Sequence, residues 1–312
     1  PFGFSTENGG FELEVTEESI QSNDRNGNGM IDPAEGMLVV LEGVDHSSKL
    51  PLSISYRAPP NYSVITSIST MVAELVEEGQ SMADAEGLVV QYLSLPGDIE
   101  LSSFEPLQEV FKRGEKAQGF TLRATQLSNL LNEGSRFLQM KTGGKLNRVR
   151  GAELIVTTLK DKILAQAGRR SAGINESLDL VDSSLLLDVI TEAETQAIKE
   201  TGQIENFVIP LGSSVREELA NIQPDIAEIG NASILNQMVE QVSSANIMLN
   251  ELNDNPNVDP AAFKALASAS QSILDELGET AANTIYKGEV SSLGNVPASD
   301  SLAALDILSR VT

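Results

Sequence analysis

From Ser63 onward, apolar residues recur every three to four positions, and this period restricts what most of the chain can fold into. In Ser67–Glu78, for example, Met71 and Leu75 fall with their neighbours on one stripe of a helix. Because such stripes are buried against other helices, the sequence predicts an all-helical domain over residues 63–312. The predicted helices are Ser67–Glu78, Ser81–Leu93, Pro106–Lys112, Gln118–Met140, Asn147–Ala167, Ser183–Glu200, Ser214–Asn221, Ile226–Leu252, Pro260–Leu277 and Ser299–Ser309.

Glycine residues are expected to separate several of these helices. Glycine readily adopts the backbone conformation that follows a helix end, so it predicts where a helix stops. The domain can be divided on this basis into two lobes, 63–170 and 171–312, and Phe207–Leu211 is expected to be a short extended link. The predicted breaks are Gly143-Gly144, Gly168, Gly202 and Gly278.

The first 62 residues follow a different period, which favours strands. Phe2–Val15 contains two alternating segments around Asn8-Gly9-Gly10, a pattern typical of a hairpin. Met37–Val44 is a β-branched apolar run, and Leu50–Tyr56 alternates between apolar and polar residues. The sequence therefore predicts a mainly α fold, in which a small β-rich unit over residues 1–62 precedes the helical domain.

A twelve-residue segment of the β-rich unit, Asp24–Glu35, alternates oxygen-bearing side chains with other residues. Gly29 lies at its sixth position, where a sharp turn needs a residue without a Cβ atom. This is the spacing of a calcium loop, in which hard oxygen ligands converge on one ion. Met30 would contribute its backbone carbonyl. The predicted metal ligands are Asp24, Asn26, Asn28, Met30, Asp32 and Glu35.

The flanks of this loop differ from those of an EF-hand. Glu35 is followed by Gly36 and an apolar run rather than by a helix, and Thr16–Gln21 is predicted to form one helical turn at most. No helix pair is present to open, so calcium is expected to be structural rather than regulatory. The alternative is a turn rich in Asn and Asp that binds nothing.

Charge and composition restrict the partners of the chain. Its 45 acidic residues outnumber 21 basic ones, for a net charge of −24, which disfavours nucleic acid and anionic membranes. Cysteine is absent, so disulfides and thiol chemistry are not available. No apolar run approaches the ~18 residues that a membrane helix needs. This composition suits a soluble protein in a salty or calcium-rich medium.

A series of short motifs runs through the N-terminal part of the chain. These motifs are Gly43-Val-Asp45, Leu50-Pro51-Leu52, Ala58-Pro59-Pro60, Val64-Ile-Thr66, Thr70–Gly79, Ala83-x-Ala85-Glu86, Leu93-x-Leu95-Pro96, Leu101 and Phe104-Glu-Pro106. On these residues the chain resembles, over about residues 1–140, a module of very large bacterial cell-surface repeat proteins, in which a calcium-loop β unit leads into a helical domain. One difference is Ser67-Ile-Ser69, which stands where that family has a Pro/Leu-Thr stretch.

The two ends of the chain add to this resemblance. Under it, Pro1 is the last residue of an upstream loop, so the chain is expected to begin inside a β unit and to be a piece of something longer. A strand edge near Phe2–Phe4 would then be open to a neighbouring copy, which could add a strand there. Ala298–Leu305 is similar to the helix that opens dockerin-like calcium modules.

Candidate catalytic groups are few. His46, the single histidine, lies between Asp45 and Ser47, but members of a catalytic triad converge from separate segments, so a surface turn is favoured. Lys141–Lys145, with the sequence KTGGK, lacks the full spacing of a phosphate loop and is interpreted as a helix–helix turn. Arg148, Arg150, Arg169 and Arg170 are expected to bridge acidic faces within the fold or on a neighbouring subunit.

Three functions remain open on this evidence. The favoured one is a non-enzymatic, calcium-stabilised structural module of a secreted bacterial surface protein, adhesin or extracellular filament. Its expected partners are neighbouring modules of the same protein or further copies of itself. The alternative is a dockerin-like or cell-wall binding module that recognises another protein or a polysaccharide, and the third is an enzyme.

Overall fold

The computed structural model describes residues 15–41, 54–104, 115–170, 177–202 and 225–254, together with Phe11, Leu13 and Leu52. Most of this part of the chain is helical, which confirms the predicted mainly α class. In chain order the elements are α1 (Glu17–Asn23), β1 (Leu38–Val40), β2 (Tyr56–Ala58), α2 (Ser67–Glu77), α3 (Met82–Tyr92), α4 (Glu115–Lys141), α5 (Arg148–Arg170), α6 (Ser183–Thr201) and α7 (Asp225–Asp254).

Six predicted helices are confirmed, as α2 to α7, with ends that differ from the prediction by three residues or fewer. Other predicted features lie outside the described residues. These are most of the Phe2–Val15 hairpin, His46, Pro106–Lys112, Phe207–Leu211, Ser214–Asn221, Pro260–Leu277, Ala298–Leu305 and Ser299–Ser309.

One predicted helix break was wrong. The break predicted at Gly168 is absent, because α5 continues through this residue to Arg170. Gly143, Gly144 and Gly202 do take positive φ angles, of 58°, 79° and 79°, after the ends of their helices. A glycine therefore ends a helix where its backbone adopts the left-handed conformation, and inside a helix its cost of ~1 kcal/mol is tolerated.

The helix before the loop is longer than the single turn predicted. The seven-residue helix α1 begins after Thr16, whose Oγ1 accepts a hydrogen bond from the Ser19 N–H at 3.2 Å. Glu17 and Glu18 occupy its first turn, where negative charge interacts favourably with the helix dipole. The cap and these two charges stabilise a second turn that the weak apolar pattern did not indicate.

The chain divides into two compact units. The first unit comprises Pro1–Ala124 and Leu159–Leu178, and the second comprises Thr125–Thr158 and Asp179–Thr312. Helices α4 and α5 therefore contribute one part to each unit. The predicted boundary after residue 62 and the predicted lobes remain predictions.

In the first unit, β1 and β2 pair antiparallel, with Leu38 opposite Ala58 and Val40 opposite Tyr56. Of the strand predicted over Leu50–Tyr56, Leu52, Ile54 and Ser55 are not in a strand and Tyr56 begins β2, whereas Leu50, Pro51 and Ser53 lie outside the described residues. The backbone of Arg57 is held by two side chains of α2. Its N–H donates to Thr70 Oγ1 at 2.9 Å, and its carbonyl accepts from Ser69 Oγ at 2.8 Å.

Helix α2 supplies much of the core of the first unit. A reciprocal capping box starts this helix: Thr66 Oγ1 accepts from the Ser69 N–H, and Ser69 Oγ accepts from the Thr66 N–H. Phe104 and Phe120 stack with their ring centroids 4.5 Å apart. The fully buried apolar side chains of this unit include Ile54, Ile68, Met71, Leu75, Val89, Tyr92 and Ile163.

In the second unit, buried hydrogen bonds between helices accompany an apolar core. Gln126 Nε2 donates to the Asn246 carbonyl, and Asn129 Nδ2 donates to Asn246 Oδ1, both at 3.0 Å. Asn246 Nδ2 in turn donates to the Leu180 carbonyl at 2.7 Å, so α7 is tied to α4 and to the segment before α6. The apolar core of this unit includes Leu127, Leu130, Leu138, Ile155, Val189, Ile190 and Leu249.

Candidate functional site

The predicted calcium loop joins a helix to a strand. Asp24 directly follows α1, and its N–H donates to the Ile20 carbonyl at 2.7 Å, so the first loop residue also ends the helix. At the other end, two residues separate Glu35 from the start of β1. The structure thus holds the loop between two ordered elements.

The Asp24 carboxylate organises the first half of the loop. Its Oδ1 accepts from the Gly27 N–H at 2.7 Å and the Asn28 N–H at 3.1 Å, and its Oδ2 accepts from the Gly29 N–H at 2.7 Å. Gly27 and Gly29 have φ angles of 74° and 81°, in the left-handed region that favours glycine. The role of Gly27 was missed from the sequence, although two successive Asn-Gly pairs signal such a backbone.

The Glu35 carboxylate closes the loop from its other end. Its Oε1 accepts from the Arg25 N–H at 2.6 Å and the Asn26 N–H at 3.1 Å. Its Oε2 accepts from the Asp32 N–H at 3.0 Å. The last predicted ligand therefore reaches back across the loop to the residues that follow the first one.

Asn26, Asn28 and Asp32 meet one another through their side chains. Asp32 Oδ2 accepts from Asn26 Nδ2 at 2.6 Å and from Asn28 Nδ2 at 2.8 Å. The carboxamide oxygens accept backbone N–H groups instead, Asn26 Oδ1 from Asn28 and Asn28 Oδ1 from Met30. Met30 is 61% exposed, and the role predicted for its backbone carbonyl stays a prediction.

The donor chemistry of the loop fits calcium. Every predicted ligand offers a hard oxygen, and the three carboxylates of Asp24, Asp32 and Glu35 exceed the charge of a divalent ion. Across the part of the chain that the structure describes, no group of three or more His, Cys, Asp or Glu side chains is placed to hold a metal ion. A calcium ion would therefore need the Asn26 and Asn28 oxygens and the Met30 carbonyl as well as the carboxylates.

The KTGGK segment is a helix–helix turn between α4 and α5, as predicted. The Gly143 N–H donates to the Met140 carbonyl and the Gly144 N–H to the Gln139 carbonyl, both at 2.9 Å. These two N–H groups cap the end of α4 and do not form a phosphate cradle. Lys141 Nζ binds Glu194 Oε1 at 2.9 Å.

Arg150 bridges acidic side chains of α5 and α6, which confirms the prediction for this arginine. Its Nε donates to Glu200 Oε2 at 3.0 Å, and its Nη1 donates to Glu153 Oε2 at 2.8 Å. The hydrogen bond to Glu200, and to a smaller extent the one to Glu153, raises the pKa of the Arg150 guanidinium above its ordinary value. This basic group therefore serves the fold of the second unit.

Comparison with protein-family models, curated proteins and solved structures finds no match to this chain. The resemblance to a bacterial surface module thus remains a hypothesis from the sequence. No helix among the described residues has the length and apolar character needed to cross a membrane.

Proposed function

We propose that this chain is a non-enzymatic structural module of a secreted bacterial surface protein or extracellular filament, and that calcium stabilises it. The observation that carries the proposal is the Asp24–Glu35 loop. Its residues have the spacing of calcium ligands, and their side chains bond within the loop: Asp24 and Glu35 accept backbone N–H groups, and Asp32 accepts the carboxamides of Asn26 and Asn28. The chemistry of these groups supports binding of a hard cation more directly than it supports catalysis.

The position of the loop supports a structural role for the ion. The loop leaves α1 and leads into β1, and β1 pairs with β2, whose Arg57 backbone is held by α2. An ion bound by both ends of the loop would fix α1 against the sheet. Since a ligand of the folded state stabilises it by mass action, calcium at a hundredfold above its dissociation constant would add ~2.7 kcal/mol.

Association with neighbouring modules or with further copies is part of the proposal. Among the described residues β1 pairs with β2 alone, while α2 side chains hold the Arg57 backbone on β2. Val39 of β1 and Leu41, which directly follows β1, are 45% and 64% exposed. A strand edge that carries exposed apolar residues and has no paired strand favours strand addition.

Thermal unfolding and isothermal titration calorimetry test the calcium site. We expect the wild-type chain to melt at a higher temperature in calcium than in chelator. A chain of charge −24 also attracts divalent ions diffusely, so magnesium at equal ionic strength is the control. Magnesium should have a smaller effect, because it fits a calcium loop poorly.

Two matched variants separate specific binding from a general loss of charge. Glu35→Gln removes a predicted ligand, whereas Glu17→Gln removes an exposed carboxylate of α1 outside the loop. We expect Glu35→Gln to lose most of the calcium response and Glu17→Gln to retain it. Equal melting of the wild-type chain in calcium and chelator, with no heat of binding, would overturn the proposal.

A further inference from the structure

Four carboxamide side chains, which we call the amide network, join α4 to α7 inside the second unit: Gln126, Asn129, Asn246 and Asn250. Gln126 Nε2 donates to the Asn246 carbonyl and to Asn250 Oδ1, both at 3.0 Å. Asn129 Nδ2 donates to Asn246 Oδ1, also at 3.0 Å. Gln126, Asn129 and Asn246 are 1% exposed or less, so these hydrogen bonds are made away from water.

Stability alone does not explain polar side chains at this place. Asn129 Oδ1 is buried, and among the described residues it accepts no hydrogen bond. A buried acceptor without a donor destabilises the folded state, and a pair of apolar residues of similar size would avoid that cost. The amide network is therefore expected to serve another property of the fold.

The apolar face of α7 does not by itself define where this helix lies along its partners. Its buried residues recur every three to four positions, as Leu235, Met238, Val239, Val242 and Leu249. A slide of four residues, ~6 Å along the axis, would still place apolar residues at the positions of Val239 and Val242. The same slide would put Val242 in the place of Asn246, where the carboxamides of α4 would lose their partner.

We infer that the amide network sets the register of α7 against α4. Its hydrogen bonds between the two helices, at about fivefold for each of the three, favour the observed register by roughly a hundredfold. Asn246 Nδ2 also donates to the Leu180 carbonyl at 2.7 Å, so the same side chain fixes α7 against the segment before α6. A buried asparagine sets the register of coiled-coil helices in this way, at a cost in stability. The inference is independent of the proposed calcium site.

The distance between two spin labels, measured by double electron–electron resonance, reports on the register. The chain contains no cysteine, so labels attach only at the introduced Ser244→Cys on α7 and Lys145→Cys in the turn after α4, both exposed positions of the second unit. The labelled chain should show one distance. Asn129→Leu with Asn246→Leu should add a second distance, displaced by up to ~6 Å, the rise of four helical residues. Its urea midpoint should not fall, because the unpaired acceptor is removed.

Thr158→Val is the matched control for a change from polar to apolar in the same core. Thr158 is buried, and its Oγ1 donates to the Leu154 carbonyl at 2.9 Å within α5, outside the amide network. This variant should keep the single distance. If the double leucine variant loses its helical circular dichroism signal, Gln126→Met with Asn129→Leu replaces it, since this pair leaves Asn246 and its bond to Leu180 in place. The same second distance is expected.

Three results would overturn the inference. A single wild-type distance in the folded variants would show that apolar packing alone sets the register of α7. A second distance in Thr158→Val as well would show that any such change loosens the core. A large fall in the urea midpoint without a second distance would show that the amide network serves stability instead.

Discussion

At Gly134 in α4, the absence of a side chain allows three helices of the second unit to approach closely. A Cβ atom added there would lie 2.4 Å from Ile190 Cδ1 and 2.5 Å from Ile155 Cδ1. Ile155 and Ile190 are fully buried on α5 and α6, so neither can turn aside into solvent. The close packing of these helices therefore requires a residue without a Cβ atom at position 134.

We expect Gly134→Ala to destabilise the protein relative to Gly168→Ala. Both changes replace a helical glycine and gain similar helix propensity, ~1 kcal/mol. At Gly168 an added Cβ would meet no atom within 4 Å, whereas at Gly134 overpacking costs ~1–3 kcal/mol. Urea unfolding measures the difference between the two variants, and equal midpoints would show that the isoleucines repack at no cost.

The sequence predicted a turn over Asp24–Glu35 but not how its side chains bond. In the structure Asp32 accepts from the side chains of Asn26 and Asn28, whereas Asp24 and Glu35 accept backbone N–H groups of the loop. Spacing says nothing about which end of a carboxamide faces Asp32, because oxygen and nitrogen differ by rotation about one bond. The hydrogen bonds from Asn26 and Asn28 to Asp32 were therefore visible in the structure alone.

At the scale of elements, a buried lysine links α5 to the end of α2 in the first unit. Lys160 Nζ lies 2.6 Å from Glu78 Oε2, 3.3 Å from Asp161 Oδ1 and 4.0 Å from Glu74 Oε1, and its side chain is 7% exposed. Burial alone lowers the pKa of this ammonium group. The hydrogen bonds and charges of Glu78 and Asp161 outweigh burial, and the net pKa is raised.

The pH range over which this link stabilises the fold follows from both partners. The hydrogen bond from Lys160 lowers the pKa of Glu78 below its ordinary 4.5, so its contribution is lost as pH falls through the lowered value. The pKa of Lys160 is raised above its ordinary 10.5, so its contribution is lost only as pH rises through the raised value. The link therefore stabilises the protein fully between these two ordinary values.

We predict that the Lys160→Met variant loses less free energy of unfolding on acidification than the wild-type chain does. The methionine keeps an apolar stem in the buried site but removes the charge that lowers the pKa of Glu78. The difference in free energy of unfolding between wild type and variant should be larger at about pH 7 than at about pH 3. Urea unfolding at both pH values measures it, with Lys199→Met, an exposed lysine of α6, as the control. A difference that does not change with pH would contradict the prediction.

Helices were predictable from the sequence because their period is local, whereas the strand β2 depended on distant residues. The run Leu50–Tyr56 alternates, yet the observed strand is Tyr56–Ala58. Ser69 and Thr70 of α2 bond to the Arg57 backbone from 12 and 13 residues away, and β1 pairs with the other edge of the same strand. Such contacts decide strand position, and periodicity within the strand does not contain them.

At the scale of the whole molecule, charge opposes association, whereas the edge of β1 that has no paired strand among the described residues favours it. Two copies that each carry a net charge of −24 repel one another at low ionic strength. Salt screens this repulsion, with a Debye length of ~8 Å at physiological ionic strength, and calcium would neutralise part of it at the loop. Association through the edge should therefore strengthen with salt and with calcium.

We predict that Val39→Lys weakens self-association and that Ile247→Lys does not. The two residues are matched, since their exposed fractions are 45% and 44%, but Val39 lies on β1 and Ile247 on α7. Each variant changes the net charge equally, so a difference between them reports on the β1 edge. A lysine at a strand edge disfavours strand addition, because its charge would be buried by the added strand. Sedimentation velocity over a concentration series in salt and calcium measures the effect. A wild-type chain that remains monomeric throughout, or a loss of association in both variants, would show that β1 is not the contact.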